Sequence, residues 1–402
     1  MSTKHSTKQQ SKNTAKALTI GLIIDDSLDR PDGVQQYVLT LGAWLTSQGH
    51  EVHYITSTTQ RSDLPNLHVL AQSLGVKFNG NRLRVPLPAS RAAIRDLLTR
   101  VKFDVLHVQM PYSPLLGGQV LNLARVYAPE AVRIATFHIF PDSTLVEHGS
   151  RALAFVQRRQ YRELDDVLSV SEAAQRFSRV VFGVDSSVVP NGVAIDQFAD
   201  AAHKHAPTGS RDFTKPYTIV FLGRLVERKG CRQLLRAVRA ARHHLPEQLV
   251  IRVGGRGPLL QALQLEAEEL GIRSLVDFEG FVAEEDKAAF LASGDMIVLP
   301  SLGGESFGIS VVEALAASRG PVLAGDNPGY RTVMKSLSRQ LVRATDAEGA
   351  FADKLVYFAN ARHAELGRIL DAQHRQAEQF AIDVVGPRVL AAYQRALQSR
   401  AA

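Results

Sequence analysis

What most constrains this chain is a pattern that runs twice: an apolar segment of strand length, a short loop of glycine or charge, then a helical stripe. Leu18-Thr19-Ile20-Gly21-Leu22-Ile23-Ile24 is apolar on both alternating faces, which a strand tolerates only when it is covered above and below. It ends at Asp25-Asp26, and Asp32-Gly33-Val34-Gln35-Gln36-Tyr37-Val38 then opens a helix with Val34, Val38, Leu41 and Leu45 on one stripe. The next strand is Val52 to Ile55, and others are predicted near 67–70, 104–108, 132–137 and 166–170, with a short strand and turn at 188–193. Such alternation predicts an α/β domain with a parallel sheet that binds ligands at the carboxyl ends of its strands. Residues 199–216, rich in Ala, His, Lys, Gly, Ser, Thr and Pro, break the pattern and read as a linker. The pattern restarts at Tyr217, with strands at 217–222, 250–253, near 278 and at 296–299. A chain of 402 residues exceeds one typical core, so two domains are expected, 18–198 and 217–379.

Several classes fall away. No apolar run approaches the roughly 20 residues that span a bilayer and the polar start lacks a signal-peptide core, so a cytoplasmic protein is expected. Cys231 is the single cysteine, which excludes an internal disulfide and argues against a structural zinc cluster. The first unit lacks the G-x-G-x-x-G fingerprint of a dinucleotide-binding dehydrogenase. The net charge of +7 is unevenly spread. Residues 1–17 hold Lys4, Lys8, Lys12 and Lys16 without an acid and read as a disordered basic tail. The segment 82–102 sets Arg82, Arg84, Arg91, Arg95, Arg100 and Lys102 against Asp96 alone. On a helix from about 90, Ile94, Leu97, Leu98 and Val101 face a core, while Arg91, Arg95 and Lys102 share another line. A solvated surface and contact with anionic lipid are both open.

The chemistry concentrates at Pro300-Ser301-Leu302-Gly303-Gly304-Glu305-Ser306-Phe307-Gly308-Ile309 and at Glu313. A strand stops at Pro300, three glycines permit a turn of bare backbone N–H groups, and a helix is expected to begin near Ser306. Free N–H groups at a helix start suit a phosphate, and Glu305 at the mouth would accept bonds from sugar hydroxyls; an ordinary helix cap explains the same residues. Arg224 and Lys229 bracket the loop after the strand 217–222, where fixed cations can neutralise a diphosphate. Gly254-Gly255-Arg256-Gly257-Pro258 is a further bare turn, and Phe278-Glu279-Gly280-Phe281-Val282 closes another strand. In the first domain His138 follows the strand 132–137, a position at once suited to a cleft and common for a structural histidine.

Taken in order, Gly33-Val34, Val189-Pro190-Asn191-Gly192-Val193, Gly223-Arg224-Leu225 with Lys229-Gly230, Gly255-Arg256-Gly257-Pro258, and Glu305 with Glu313 closely resemble family 4 of the retaining glycosyltransferases, over about 18–400. Within that family, Pro31-Asp32-Gly33-Val34-Gln35, the basic segment, Phe137-His138 and Gly303 to Ile309 are most similar to phosphatidylinositol mannosyltransferases. The resemblance implies a GT-B fold: two Rossmann-like domains facing a cleft, with 380–402 crossing back to the first. It implies transfer of a mannose- or glucose-type hexose from a GDP- or UDP-sugar to a lipid or glycan acceptor. Arg224 and Lys229 would hold the diphosphate, Glu313 the ribose, Glu305 the sugar, and Phe281-Val282 the base. Gly33, Gly255, Gly257, Ser306, Phe307, Gly308 and Ile309 would complete the donor site, His138 would meet donor sugar or acceptor, and Asp32 and Gln35 the acceptor. Arg82, Arg84, Arg91, Arg95 and Lys102 would rest on the inner face of the membrane. No tightly bound cofactor is implied, with room for Mg2+ on the diphosphate. Asp32-Gly33 replaces the family's glycine pair, and Gln109-Met110 stands where an acid or histidine is familiar, which leaves the acceptor open. A sugar-nucleotide binder without transfer, or a soluble acceptor, is the alternative; the intact Arg224, Lys229, Glu305 and Glu313 argue against the first. No aromatic and basic RNA-binding motif is present, so no nucleic-acid partner is expected.

Overall fold

The computed structural model describes residues 16–401 except 30–31, 72, 79–80, 87–88, 112, 114, 139–159 and 206–213, with backbone alone at 73–78, 81–86 and 205. The basic tail lies outside these residues as far as Lys16.

In the first domain the strands are β1 (Thr19–Ile24), β2 (Glu51–Thr56), β3 (Leu67–Val69), β4 (Ser73–Phe78), β5 (Asn81–Pro86), β6 (Val105–Gln109), β7 (Val132–Phe137), β8 (Asp166–Ser169) and β9 (Ser187–Val188). Seven form one parallel sheet in the order β3-β2-β1-β6-β7-β8-β9. The second domain holds β10 (Tyr217–Leu222), β11 (Leu249–Gly254), β12 (Val276–Gly280), β13 (Met296–Leu299), β14 (Val322–Gly325) and β15 (Leu341–Val342), parallel in the order β12-β11-β10-β13-β14-β15. Each sheet reverses direction at its first strand, beside β1 and beside β10. Crevices at such reversals are where open parallel sheets take ligands.

The alternation of side chains explains the apolar runs. Ile20, Leu22 and Ile24 enter one core and Ile23 the other, so both faces of β1 are covered. Val220 and its neighbours Ile219 and Phe221 divide likewise between the two cores of the second domain. Val38, Leu41 and Leu45 of the helix Gly33–Ser47 are fully buried.

Three expectations change. The stretch 199–216 is not all linker: Asp196–His205 is a helix, and its Phe198 and Ala201 sit in the core of the second domain. Its alanines favour helix, and its few apolar side chains fall on one stripe. The helix Arg91–Arg100 ends before Lys102, with Val101 N–H closing on the Leu97 carbonyl, so Lys102 is off the helical line. Ahead of it, β4 and β5 pair antiparallel as a hairpin that a reading by charge alone passed over; Arg82 and Arg84 lie on β5. No helix among the described residues is long and apolar enough to cross a membrane.

The chain crosses between domains twice, and the crossings pair. Val193 N–H donates to the Phe380 carbonyl at 2.8 Å and Ile382 N–H to the Val193 carbonyl at 2.9 Å. The final helix, Ile382–Ala401, then packs on the first domain through Val385, Val389, Ala392 and Tyr393, all fully buried. Trp44 Nε1 donates to Asp383 at 2.8 Å, and Gly386 lies so close to the Trp44 ring that a Cβ would come within 2.5 Å.

Candidate functional site

Two facing loops of the second domain build the centre of the site. The loop after β10 and the loop after β13 are held together because Arg228 offers its carbonyl to Leu302 N–H at 2.8 Å and to Ser301 Oγ at 2.9 Å. Gly230, at φ +76°, lies where a Cβ would come 2.1 Å from the Pro300 carbonyl oxygen, so only glycine lets the loops touch. Glu305 is thereby brought onto Arg228 Nη1 and Lys229 Nζ, each at 2.7 Å, and accepts Ser301 Oγ at 3.0 Å. One carboxylate between two cations leaves net positive charge in the loop. The helix starts at Ile309 rather than near Ser306, because Gly308 at φ +120° is the last residue before helical geometry. The backbone N–H groups of residues 304–310 make no hydrogen bond among the described residues.

Glu313, one turn into that helix, is buried and bound to Lys287 Nζ at 2.9 Å; Lys287 also reaches Glu284 at 2.9 Å. Burial alone would lower the Lys287 ammonium, but Glu313 and Glu284 outweigh it and hold its pKa up. From the first domain, Gln36 Nε2 meets both Glu284 oxygens at 3.3 Å, a contact across the cleft. Gly33 stands at the same seam, where a Cβ would lie 3.7 Å from Ile309 Cδ1.

These groups line two adjoining cavities. One, of about 500 Å3, takes in Asp32, Gly33, His138, Arg224, Lys229 and Gly304 to Ser310, together with Glu313. The other, of about 530 Å3, is walled by Phe281, Glu284, Glu285 and Gly192 and shares Gln36, Ile309 and Glu313 with the first. Arg224 is exposed at the rim, and Arg256 lies over the exposed Phe281 ring, 5.7 Å from its centre.

His138 is 5% exposed, its Nε2 2.8 Å from Gln109 Oε1 and its ring edge-on to Tyr37. Burial lowers its pKa to about 3, so it is neutral at physiological pH. Behind it His107, likewise lowered to about 3 by burial, bridges Tyr393 of the final helix at 2.7 Å and Thr136 at 2.6 Å.

Some predicted residues are elsewhere. Gln35 is buried and donates to Asp26 at 3.1 Å, so Gln36 rather than Gln35 faces the cleft. Gly255 and Gly257 line neither cavity: a Cβ there would come 1.9 Å from the Gly223 carbonyl and 2.2 Å from that of Leu225. They seat the loop that carries Arg224. Val282 is half-buried against the core, leaving Phe281 alone of that pair on a cavity wall. Arg91, Arg95 and Lys102 are exposed, but Arg95 is paired with its neighbour Asp96 at 2.9 Å. Arg228, Lys287 and Gln36 were given no role from the sequence, and Asn191 only a place in the Val189–Val193 motif; Asn191 is buried on the cavity wall, and its Oδ1 has no partner among the described residues.

Residues 206–376 match the family described as Glycosyl transferases group 1, and 31–197 match Glycosyltransferase Family 4. A phosphatidyl-myo-inositol mannosyltransferase of Mycobacterium leprae is 33% identical over 343 residues, 84% of this chain and 87% of that one. Its counterpart from Propionibacterium freudenreichii is 30% identical over 400 residues, 96% and 97% of the two chains. Among solved structures, Anabaena HepE in complex with UDP superposes with a TM-score of 0.71 at 15% identity, covering 94% of this chain and all (100%) of that one. Sucrose-phosphate synthase from Thermosynechococcus elongatus does so at 0.68 and 18% identity, over 95% and 100%. At such identities the likeness is one of fold, the GT-B arrangement of two Rossmann-like domains.

Proposed function

Because the chain belongs to glycosyltransferase family 4, a family of nucleotide-sugar-dependent transferases, we propose that it moves mannose from GDP-mannose to the inositol ring of a phosphatidylinositol-type lipid. The observation that carries the reading is the Arg228–Glu305–Lys229 cluster at the mouth of the bare 304–310 turn. The relatives named as phosphatidyl-myo-inositol mannosyltransferases, matching nearly end to end, support the choice of sugar and acceptor.

In this reading the donor diphosphate lies on Arg224, Lys229 and the N–H groups of the turn, where charge-assisted bonds stabilise the departing group. Lys229 is then shared between phosphate and Glu305, and Glu305 accepts hydroxyls of the sugar. Glu313 accepts the ribose hydroxyls, and the base lies along Phe281. Neutral His138 bonds a hydroxyl of donor or acceptor without adding charge. The bond from the sugar anomeric carbon to the diphosphate oxygen breaks, and the acceptor hydroxyl oxygen bonds to that carbon from the same face. Its proton passes to a phosphate oxygen of the leaving group, so configuration is retained and no protein nucleophile is needed. Gly33, beside Ile309 and without a side chain, lets the backbone approach the reacting carbon.

A lipid acceptor requires the first domain to touch a bilayer. Arg91, Arg95 and Lys102, with Arg82 and Arg84, supply about 1 kcal/mol each beside an anionic surface, weakened by salt. Association on the inner face would then be reversible. Changing Arg91, Arg95 and Lys102 to Ser should abolish sedimentation with anionic vesicles while donor hydrolysis persists; unchanged sedimentation removes the basic helix from the account.

The test of function is a matrix of GDP-mannose, UDP-glucose and UDP-N-acetylglucosamine against phosphatidylinositol vesicles and soluble inositol phosphate, with and without Mg2+. Mannosylated lipid of retained anomeric configuration is expected. Transfer confined to a UDP-sugar or to the soluble acceptor would replace the proposal.

A further inference from the structure

A separate cavity, of about 740 Å3, opens where the chain crosses between domains. Its cations come from three separate parts of the fold. Arg176 ends the helix Glu172–Phe177 of the first domain, Arg331 and Lys335 belong to the second, and Arg388 stands on the returning helix. Arg331 is bound to Asp326, at 2.6 and 3.0 Å. Arg176 and Lys335 make no ion pair or hydrogen bond among the described residues. Arg388 donates Nη2 to the Val188 carbonyl at 2.9 Å, which fixes its guanidinium at the rim, and its other donors make no hydrogen bond among the described residues. The floor is built rather than solvent-worn: buried Gln376 donates to the Val333 carbonyl at 2.8 Å and accepts the Ser336 hydroxyl. Glu172 is the acid of the lining, so the cavity keeps a positive balance even after Asp326 is counted.

Surface arginines usually point apart into water. Here two domains and a crossing helix bring theirs to the lining of one concavity, where a single multivalent anion could meet several of them at once. Forked guanidinium donors beside an ammonium suit phosphate oxygens.

The cavity also backs onto the donor loop. Phe380 on its wall meets Phe307 edge-on, with ring centres 5.3 Å apart. Pro328, another wall residue, begins the helix whose Gly329 lies where a Cβ would come 2.1 Å from the Glu305 carbonyl. Pro190 lines this cavity and its neighbour Asn191 the donor cavity.

We propose that this hinge cavity is a second anion site, for a ligand bearing two or more phosphate charges, and that its occupant holds the two domains in the orientation that assembles the donor loop. The ligand is a free polyphosphate or the headgroup of a phosphorylated lipid, and the site stands apart from the choice of sugar and acceptor.

The probe is inorganic pyrophosphate, titrated calorimetrically into the full chain. The Lys229→Ala protein, with its donor site weakened, is expected to keep one pyrophosphate site. Adding Arg176→Ser and Lys335→Ser to it should weaken that site at least tenfold and leave the melting temperature in place, since both are surface side chains. Arg388 stays unchanged, so the crossing contact to Val188 is preserved. Loss of all binding in Lys229→Ala alone, or equal binding with and without the two further changes, overturns the proposal. Phosphatidylcholine vesicles with and without phosphatidic acid then identify the source. Displacement of pyrophosphate only by the acidic vesicles supports a lipid headgroup in this site, and no displacement supports a soluble polyphosphate there.

Discussion

Asp25, at the end of β1, offers a quantitative test of how the first domain is built. Asp25 is 7% exposed; Oδ1 accepts the Gly117 N–H, and Oδ2 has no partner among the described residues. Burial, with a smaller push from neighbouring Asp26, raises its pKa to about 7 from 3.8. A raised acid is protonated in the folded chain over a range where the unfolded chain has already ionised. The stability it preserves is therefore complete below pH 4 and lost as pH rises towards 7. At 1.36 kcal/mol per unit, that loss is about 4 kcal/mol. Asp25→Asn imitates the neutral acid, keeping an oxygen for Gly117 and placing an amide where the unpartnered oxygen stood. Urea unfolding of both proteins from pH 4 to pH 8 isolates the effect, because every other titrating group is shared. The two should match within about 1 kcal/mol at pH 4, and the variant should lead by about 4 kcal/mol at pH 8. A difference that stays flat across that range refutes the reasoning.

Lys229→Ala should lower turnover at saturating donor by about 30- to 1000-fold, the loss of about 2–4 kcal/mol from a phosphate contact in a desolvated site, with little change in melting temperature; near-normal turnover would remove Lys229 from the donor site. Glu305→Gln should reduce kcat, because its partner is the reacting sugar, whereas Glu313→Gln should chiefly raise the donor KM; equal effects on KM alone would mean Glu305 is misplaced. Gly257→Ala forces a Cβ to within 2.2 Å of the Leu225 backbone and should weaken donor binding about tenfold through the displaced loop, while Gly303→Ala, which meets nothing within 4 Å, should bind as wild type. Calorimetric donor titrations separate the two, and like behaviour would show that the seating of the loop does not matter.

The parallel strands were legible because burial on both faces leaves an unmistakable record, as in Ile20 to Ile24 or Met296 to Leu299. The β4–β5 hairpin was legible too, in Asn79-Gly80 between segments of alternating character, but its arginines drew attention to charge instead. On the first helix the error between Gln35 and Gln36 had a remedy in the sequence. At ~100° per residue Gln35 lies about 60° from the buried Val38 and Gln36 about 160° from it, so only the second can look outward. Arg228 and Lys287 are different. Each is an ordinary charge locally, and what gives it meaning is a carboxylate brought from a loop or helix far along the chain, Glu305 for one and Glu313 for the other. Loop closure sets those pairs, and no local pattern encodes it.

The returning helix Ile382–Ala401 also bears on the order in which the protein can be made. Its Val389 and Tyr393 are part of the core that covers β1 and the first helix, so the first domain lacks one wall until residues 382–401 leave the ribosome. At 5–20 residues per second, the chain between the two crossings takes about 10–40 s to synthesise. Through that interval Trp44, Leu41 and Val52 face no partner from the carboxyl end, while the second domain, whose strands are contiguous in sequence, can close around itself. The first domain, though made before the second, is thus finished after it, and a chain cut before Ile382 keeps every strand of the donor-binding domain while the core over β1 stays open on one side.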